Sequence, residues 1–209
     1  MISALEGLAR LKAGNRHFVS EHPDHDDHVT RTRRRELVHG QEPFAIILGC
    51  SDSRVPAEIV FDQGLGDLFV IRVAGNIIAP SLVGSVEFAV ERFGTRLVVV
   101  LGHSSCGAVQ ATLEDLEQPI ESRSTNLHAI VNRIRPVVEP LMETELGKDR
   151  ELLLKRAVRA NIRASTNQLR HGSSFLERSV QNEGLLIVGA EYSLETGVVD
   201  FFDGALATD

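Results

Sequence analysis

Four short, unbroken apolar runs punctuate the chain, at 44–49, 68–71, 97–101 and 185–188. Their continuity, in place of in-out alternation, is the pattern of parallel strands covered on both faces. Between the second and third, Val83, Val86, Phe88, Ala89, Val90 and Phe93 predict a buried helix over 81–93, stopped by Gly94. Strands and helices alternating in this way predict an α/β fold, with a mainly parallel central sheet, right-handed crossovers and flanking helices. After a turn over 192–197, the run 198–202 is short enough to return as an antiparallel edge strand. The expected sheet therefore has four parallel strands and one antiparallel edge strand.

Helical spacing accounts for much of the rest. Leu5, Leu8, Leu11 and Phe18 place one apolar side on an amphipathic helix over 3–20, and Ser3 with Glu6 forms a capping-box pattern. So early a helix has little chain before it to pack on, and it needs the body or a second subunit to cover it. Leu127, Ile130, Val131, Ile134, Val138 and Leu141 keep helical spacing, but Pro136 and Pro140 are expected to break or kink that helix. A further helix runs over 149–170 with Gly172 as its C′ residue, and Ser173 or Ser174 can cap the next one. The division is an N-terminal helical arm, 1–40, and an α/β domain, 41–209.

Composition narrows the class. A chain of 209 residues is long enough for one domain with a real core, and its net charge of −7 disfavours a general nucleic-acid binder. No apolar run approaches the roughly 20 residues of a membrane span, and the first residues lack a basic flank with an apolar signal core. Two cysteines are too few for a disulfide framework, so the cytosol is the default compartment. His22, His25 and His28 recur at every third residue in an acidic link, where a solvated role is expected. Arg31, Arg33, Arg34 and Arg35 follow, and the neighbouring acids neutralise them locally.

The chemistry collects at two strand ends. Cys50-Ser51-Asp52-Ser53-Arg54 follows the first run, and His103-Ser104-Ser105-Cys106 follows the third. In open parallel sheets, ligands bind at the carboxyl ends of strands. If those two strands are neighbours, Cys50, His103 and Cys106 converge, and two thiolates with an imidazole make a zinc shell with a fourth position open. Two other readings remain for the same letters: buried cysteines serving as small apolar residues, and a cysteine nucleophile with His103 as base. A phosphate loop over 102–107 fails because Ala108-Val109 stand where Lys and Ser/Thr are needed, and a dinucleotide fingerprint beginning at Gly64 fails at Phe69.

The paired motifs, Cys-Ser-Asp-Ser-Arg and then Gly-His-Ser-x-Cys-Gly about fifty residues on, resemble the signature of the β-class carbonic anhydrases. The resemblance extends to Leu11-Lys12-x-Gly14-Asn15-Arg16-x-Phe18, Gly40-Gln41-x-Pro43, Phe69-Val70-x-Arg72, Ala74-Gly75-Asn76 and Val188-Gly189-Ala190 with Tyr192. It implies that Cys50, His103 and Cys106 hold one zinc per chain. It implies too that Asp52, held by Arg54, orients zinc-bound hydroxide for the reversible hydration of carbon dioxide to bicarbonate and a proton. Gln41 matches a position whose amide places substrate, the Gly107 N–H is expected to assist, and Phe69, Ala74 and Tyr192 furnish apolar surroundings. In the family's closed state Asp52 itself binds zinc. One subgroup has a tryptophan in a bicarbonate-regulating pocket where this chain has Ile47. The implied partners are carbon dioxide, bicarbonate and further copies of the chain, as a homodimer or dimer of dimers whose N-terminal helices embrace the partner, with neither nucleic acid nor membrane. Related readings are hydrolysis of carbonyl sulfide or carbon disulfide, and a non-catalytic zinc-bound bicarbonate sensor. His39, His128 and His171 are proton-carrier candidates by type alone.

Overall fold

The structure is a computed structural model and describes residues 2–20, 30–118 and 124–205; the histidine-rich link lies outside them. The elements in chain order begin with α1 (Ala4–Val19), α2 (Arg31–Glu36) and β1 (Ala45–Gly49). Then come α3 (Ala57–Val60), β2 (Leu68–Arg72), α4 (Pro80–Phe93), β3 (Leu97–His103) and α5 (Gly107–Glu117). The chain continues with α6 (Thr125–Met142), α7 (Arg150–His171), α8 (Ser174–Asn182), β4 (Leu186–Tyr192) and β5 (Val199–Asp203). The sheet order is β2-β1-β3-β4-β5, parallel except for the β4–β5 pair. The expected four parallel strands and antiparallel edge are therefore present.

Side-chain alternation divides the core in two. Ile46 and Leu48 of β1 and Val98 and Val100 of β3 pack under α4 to α8. Ala45, Ile47, Leu97, Val99 and Leu101 pack under α1 and α3 on the other face. Every residue of β1 and β3 is buried, which is why their sequences read as continuous apolar runs. Ile47 belongs wholly to the α1 side of the core.

Helix α1 begins at the capping box, with the Ser3 hydroxyl accepting from the Glu6 N–H and the Glu6 carboxylate accepting from the Ser3 N–H. Leu8 and Leu11 are buried against the body of the same chain, whereas Leu5, expected on that side, is 52% exposed. The buried side of α1 is Ala4, Gly7, Leu8, Leu11, Gly14 and Asn15, and Leu5 lies off that stripe. Phe88, expected inside α4, is also 52% exposed, because the buried side of that helix is Val86, Ala89 and Val90. Helix α6 is assigned without a break across Pro136 and Pro140. Each proline forfeits one backbone hydrogen bond, while Val131, Ile134 and Val138 stay buried and hold the helix to the core. Gly172 caps α7 at φ −88°, in right-handed rather than left-handed conformation, and Ser173 caps α8 by accepting from the Leu176 N–H.

Candidate metal centre and active site

Strands β1 and β3 are hydrogen-bonded neighbours, with Gly49 level with Leu101. That adjacency brings Cys50, just past β1, beside His103, which is the last residue of β3 and not the first beyond it. A turn through Ser104 and Ser105, the latter at φ 54°, then carries the chain to Cys106 at the N-cap of α5. The turn is fastened to the end of β4: the Ser104 N–H donates to the Tyr192 carbonyl and the Ser104 hydroxyl accepts from the Leu194 N–H. The two sulfurs and a ring nitrogen lie within 4.8 Å of one another, and all three residues are buried.

This donor set fits zinc. The His103 Nδ1 meets the Ser104 carbonyl at 2.9 Å, and since a carbonyl only accepts, Nδ1 carries a proton and Nε2 is the ring nitrogen left to meet a metal. Nε2 is buried and has no hydrogen-bond partner, facing the two cysteines. A buried polar atom without a partner is costly unless something binds it. Both thiols are free. The hydrogen bond from Cys106 favours the Cys50 thiolate and outweighs burial, so Cys50 lies well below the usual thiol range. The same bond, with burial, pushes Cys106 up, although the Val109 and Ala108 amides at the start of α5 pull against it. Burial pulls His103 down, and the nearby Cys50 thiolate more than restores it. One negative charge is thus already favoured in the cluster. Zinc takes both sulfurs as thiolates and leaves a fourth position open.

Asp52 stands at the rim of this cluster. Arg54 donates from Nε to Oδ1 at 2.9 Å and from Nη2 to Oδ2 at 2.7 Å, and its backbone N–H reaches Oδ1 at 3.0 Å. The bidentate guanidinium, above all, holds the Asp52 carboxyl well below the usual carboxylate range. Asp52 Oδ2 lies 3.8 Å from His103 Nε2. Arg72 at the end of β2 completes the loop, donating to the Cys50 carbonyl at 3.0 Å and to the Asp52 carbonyl at 2.6 Å. Sequence reading assigned Arg72 no role, because nothing local connects it to a loop twenty residues earlier.

Gly107 opens α5 directly after Cys106, with open space on its side-chain side. Gln41 is not brought to the cluster: it precedes β1, at the opposite end of the strand from Cys50, and lies exposed beside Leu37 and His39. The five residues of β1 alone separate the two by roughly 16 Å. Of the proton-carrier candidates, His39 and His171 are exposed and His128 is half-buried on α6.

Residues 45–199 match the protein family described as Carbonic anhydrase. The chain belongs to the β-class carbonic anhydrase family. A "Carbonic anhydrase" of Mycolicibacterium smegmatis is 40% identical over 190 residues, 91% of this chain and 89% of that one. "Carbonic anhydrase 2" of Mycobacterium tuberculosis is 38% identical over 187 residues, 90% and 87% of the two chains. Among solved structures, the β-carbonic anhydrase CcaA superposes with a TM-score of 0.74 at 27% identity, covering 98% of this chain and 95% of its own. CafA of Aspergillus fumigatus gives the same TM-score and identity over 97% and 91%. Membership makes the chain a carbonate dehydratase, a lyase whose cofactor is zinc, and Cys50, His103 and Cys106 form the site positioned to hold it. No helix among the described residues is long and apolar enough to cross a membrane.

Proposed function

We propose that the chain hydrates carbon dioxide reversibly to bicarbonate and a proton, with one zinc on Cys50, His103 and Cys106 and with Asp52 and Arg54 as the catalytic dyad. When bound, zinc lowers the pKa of a water at its open position to about 7 and so supplies the nucleophile near neutral pH. The observation that carries the reading is the Asp52 carboxylate, clamped in two places by Arg54 and set 3.8 Å from the one ring nitrogen free to bind metal. A carboxylate so held stays ionised and accepts the hydrogen bond of the attacking water. That fixes where the water's remaining lone pair points. While Arg54 engages both oxygens, Asp52 serves as this acceptor. Released from Arg54, it becomes available as the fourth ligand, which is the closed state. The N–H of Gly107, the exposed first residue of α5, assists substrate.

Gln41 stands at the far end of β1, so its part in substrate placement is played in the site of a second copy. Two exposed apolar surfaces support such an assembly, a homodimer or dimer of dimers. Phe88 joins Phe69 and Phe93 in an aromatic cluster at the open edge of the sheet, at ring distances of 5.7–6.3 Å. Leu5 and Val19 on α1, and Ile2 just before it, remain exposed after Leu8 and Leu11 are buried, which suits the arm 1–40 to lie on a partner as well as on its own domain.

The test measures zinc content and carbon dioxide hydration for the wild type and Asp52→Ala. We expect about one zinc per chain in both, and a hydration rate at about pH 8 that falls at least about 100-fold in the variant. A wild type that holds zinc but does not hydrate carbon dioxide would sink the proposal. Hydrolysis of carbonyl sulfide far exceeding hydration would move the substrate assignment to that molecule.

A further inference from the structure

The inner side of α7 is an apolar stripe, Leu153, Ala157, Val158, Ile162 and Leu169, interrupted by three buried polar residues, Asn161, Ser165 and Thr166, of which the first two reach outside the helix. Unpaired, such groups would weaken the core, so their partners matter. Asn161 Nδ2 donates to the Gly75 carbonyl at 2.8 Å, and the Ser165 hydroxyl donates to the Asn76 carbonyl at 2.9 Å. Gly75 and Asn76 are successive left-handed residues, at φ 71° and 43°, in the short turn Ala74–Asn76 that follows β2. A Cβ on Gly75 would lie 2.8 Å from Ile134 Cδ1 and 3.0 Å from Ala108 Cβ, so the turn is also tightly enclosed. The Gly75 N–H in turn donates to Cys50 Sγ at 3.4 Å.

We propose that Asn161 and Ser165 are positioning residues that hold this left-handed turn so that the Gly75 N–H stays on the Cys50 sulfur. The inference rests on the reading of Cys50 as a zinc ligand. A hydrogen bond donated to a thiolate withdraws charge from it and fixes its direction, and loss of such outer contacts costs about 10- to 100-fold in metal affinity. Asn161→Leu keeps the branched outline and removes the donor; Ser165→Ala removes the other. Ser165→Thr restores a hydroxyl. Thr166→Val is the control, since Thr166 donates only within α7, to the Ile162 carbonyl.

The experiment follows zinc release to a chelator and the thiolate-to-metal charge-transfer band of cobalt-substituted protein. In Asn161→Leu and Ser165→Ala, release is expected to quicken about tenfold and the band to move to lower energy as the sulfur gains charge. Ser165→Thr and Thr166→Val should keep wild-type release and spectrum. Wild-type release and spectrum in both Asn161→Leu and Ser165→Ala would overturn the proposal, as would an equal change in Thr166→Val. If Asn161→Leu does not fold, Ser165→Ala against Ser165→Thr still decides it. A wild type that takes up neither zinc nor cobalt would instead bring down the metal-site reading, and this inference with it.

Discussion

Asp52 and Glu191 are acids near the same end of the sheet whose environments act in opposite directions. Asp52 is depressed by the guanidinium that grips it. Glu191, on β4 level with Gly102, is raised mainly by burial, which Arg159 and Lys155 only partly offset. The raised value means that the folded chain holds a proton which the unfolded chain gives up near pH 4.3. Stability attributable to Glu191 therefore declines as pH rises from that value through the raised one, and the penalty is complete above it. Glu191→Gln removes the charge from both states. Its urea midpoint should match the wild type well below pH 4 and exceed it at about pH 7. A variant less stable at neutral pH would show that the Arg159 ion pair, at 3.4 Å, outweighs burial.

Among the elements, α1 illustrates how a local preference can be reversed by its surroundings. Gly14 sits inside the helix, where alanine ordinarily stabilises by up to about 1 kcal/mol. A Cβ at Gly14 would stand 1.8 Å from the Phe61 carbonyl oxygen and 2.8 Å from its carbon, and backbone does not yield as a side chain does. The neighbouring Asn15 binds the Val60 and Gly197 carbonyls and accepts from the Val199 N–H, joining α1 to α3 and β5. Lifting the helix would strand those buried groups. Gly14→Ala is therefore expected to destabilise by about 3 kcal/mol in urea unfolding, the opposite sign to the helix-propensity effect. The same principle governs α6: its two prolines predict an interruption locally, and the buried side of the helix prevails.

At the scale of the whole molecule, the candidate metal site lies at one end of the sheet and Gln41 at the other, so on the proposed reading, in which Gln41 places substrate, a complete site calls for two copies. Phe88→Glu places a charge in the exposed aromatic cluster beside β2. Sedimentation should then report a smaller species, and hydration should fall while zinc content holds at about one per chain. An unchanged assembly would place the interface elsewhere, with the exposed side of α1 the next surface to alter.

What could be read from the chain alone was local in origin. Continuous apolar runs mark doubly covered strands, because burial on both faces acts on every residue of such a strand. The carboxyl ends of those strands pointed to Cys50, His103 and Cys106, which the fold brings together, while the pairing of Asp52 with Arg54 as a dyad came from the family resemblance. Tertiary structure decided which strands are neighbours, and that decision makes a cluster from residues fifty apart. It also set Gln41 at the far end of β1, exposed Phe88 and Leu5, joined Arg72 to the Asp52 loop, and aimed Asn161 and Ser165 at the turn behind Cys50. Each of these depends on pairings distant in the chain. Hydrophobic periodicity states that a side chain is buried, but the identity of what it meets belongs to the packed fold.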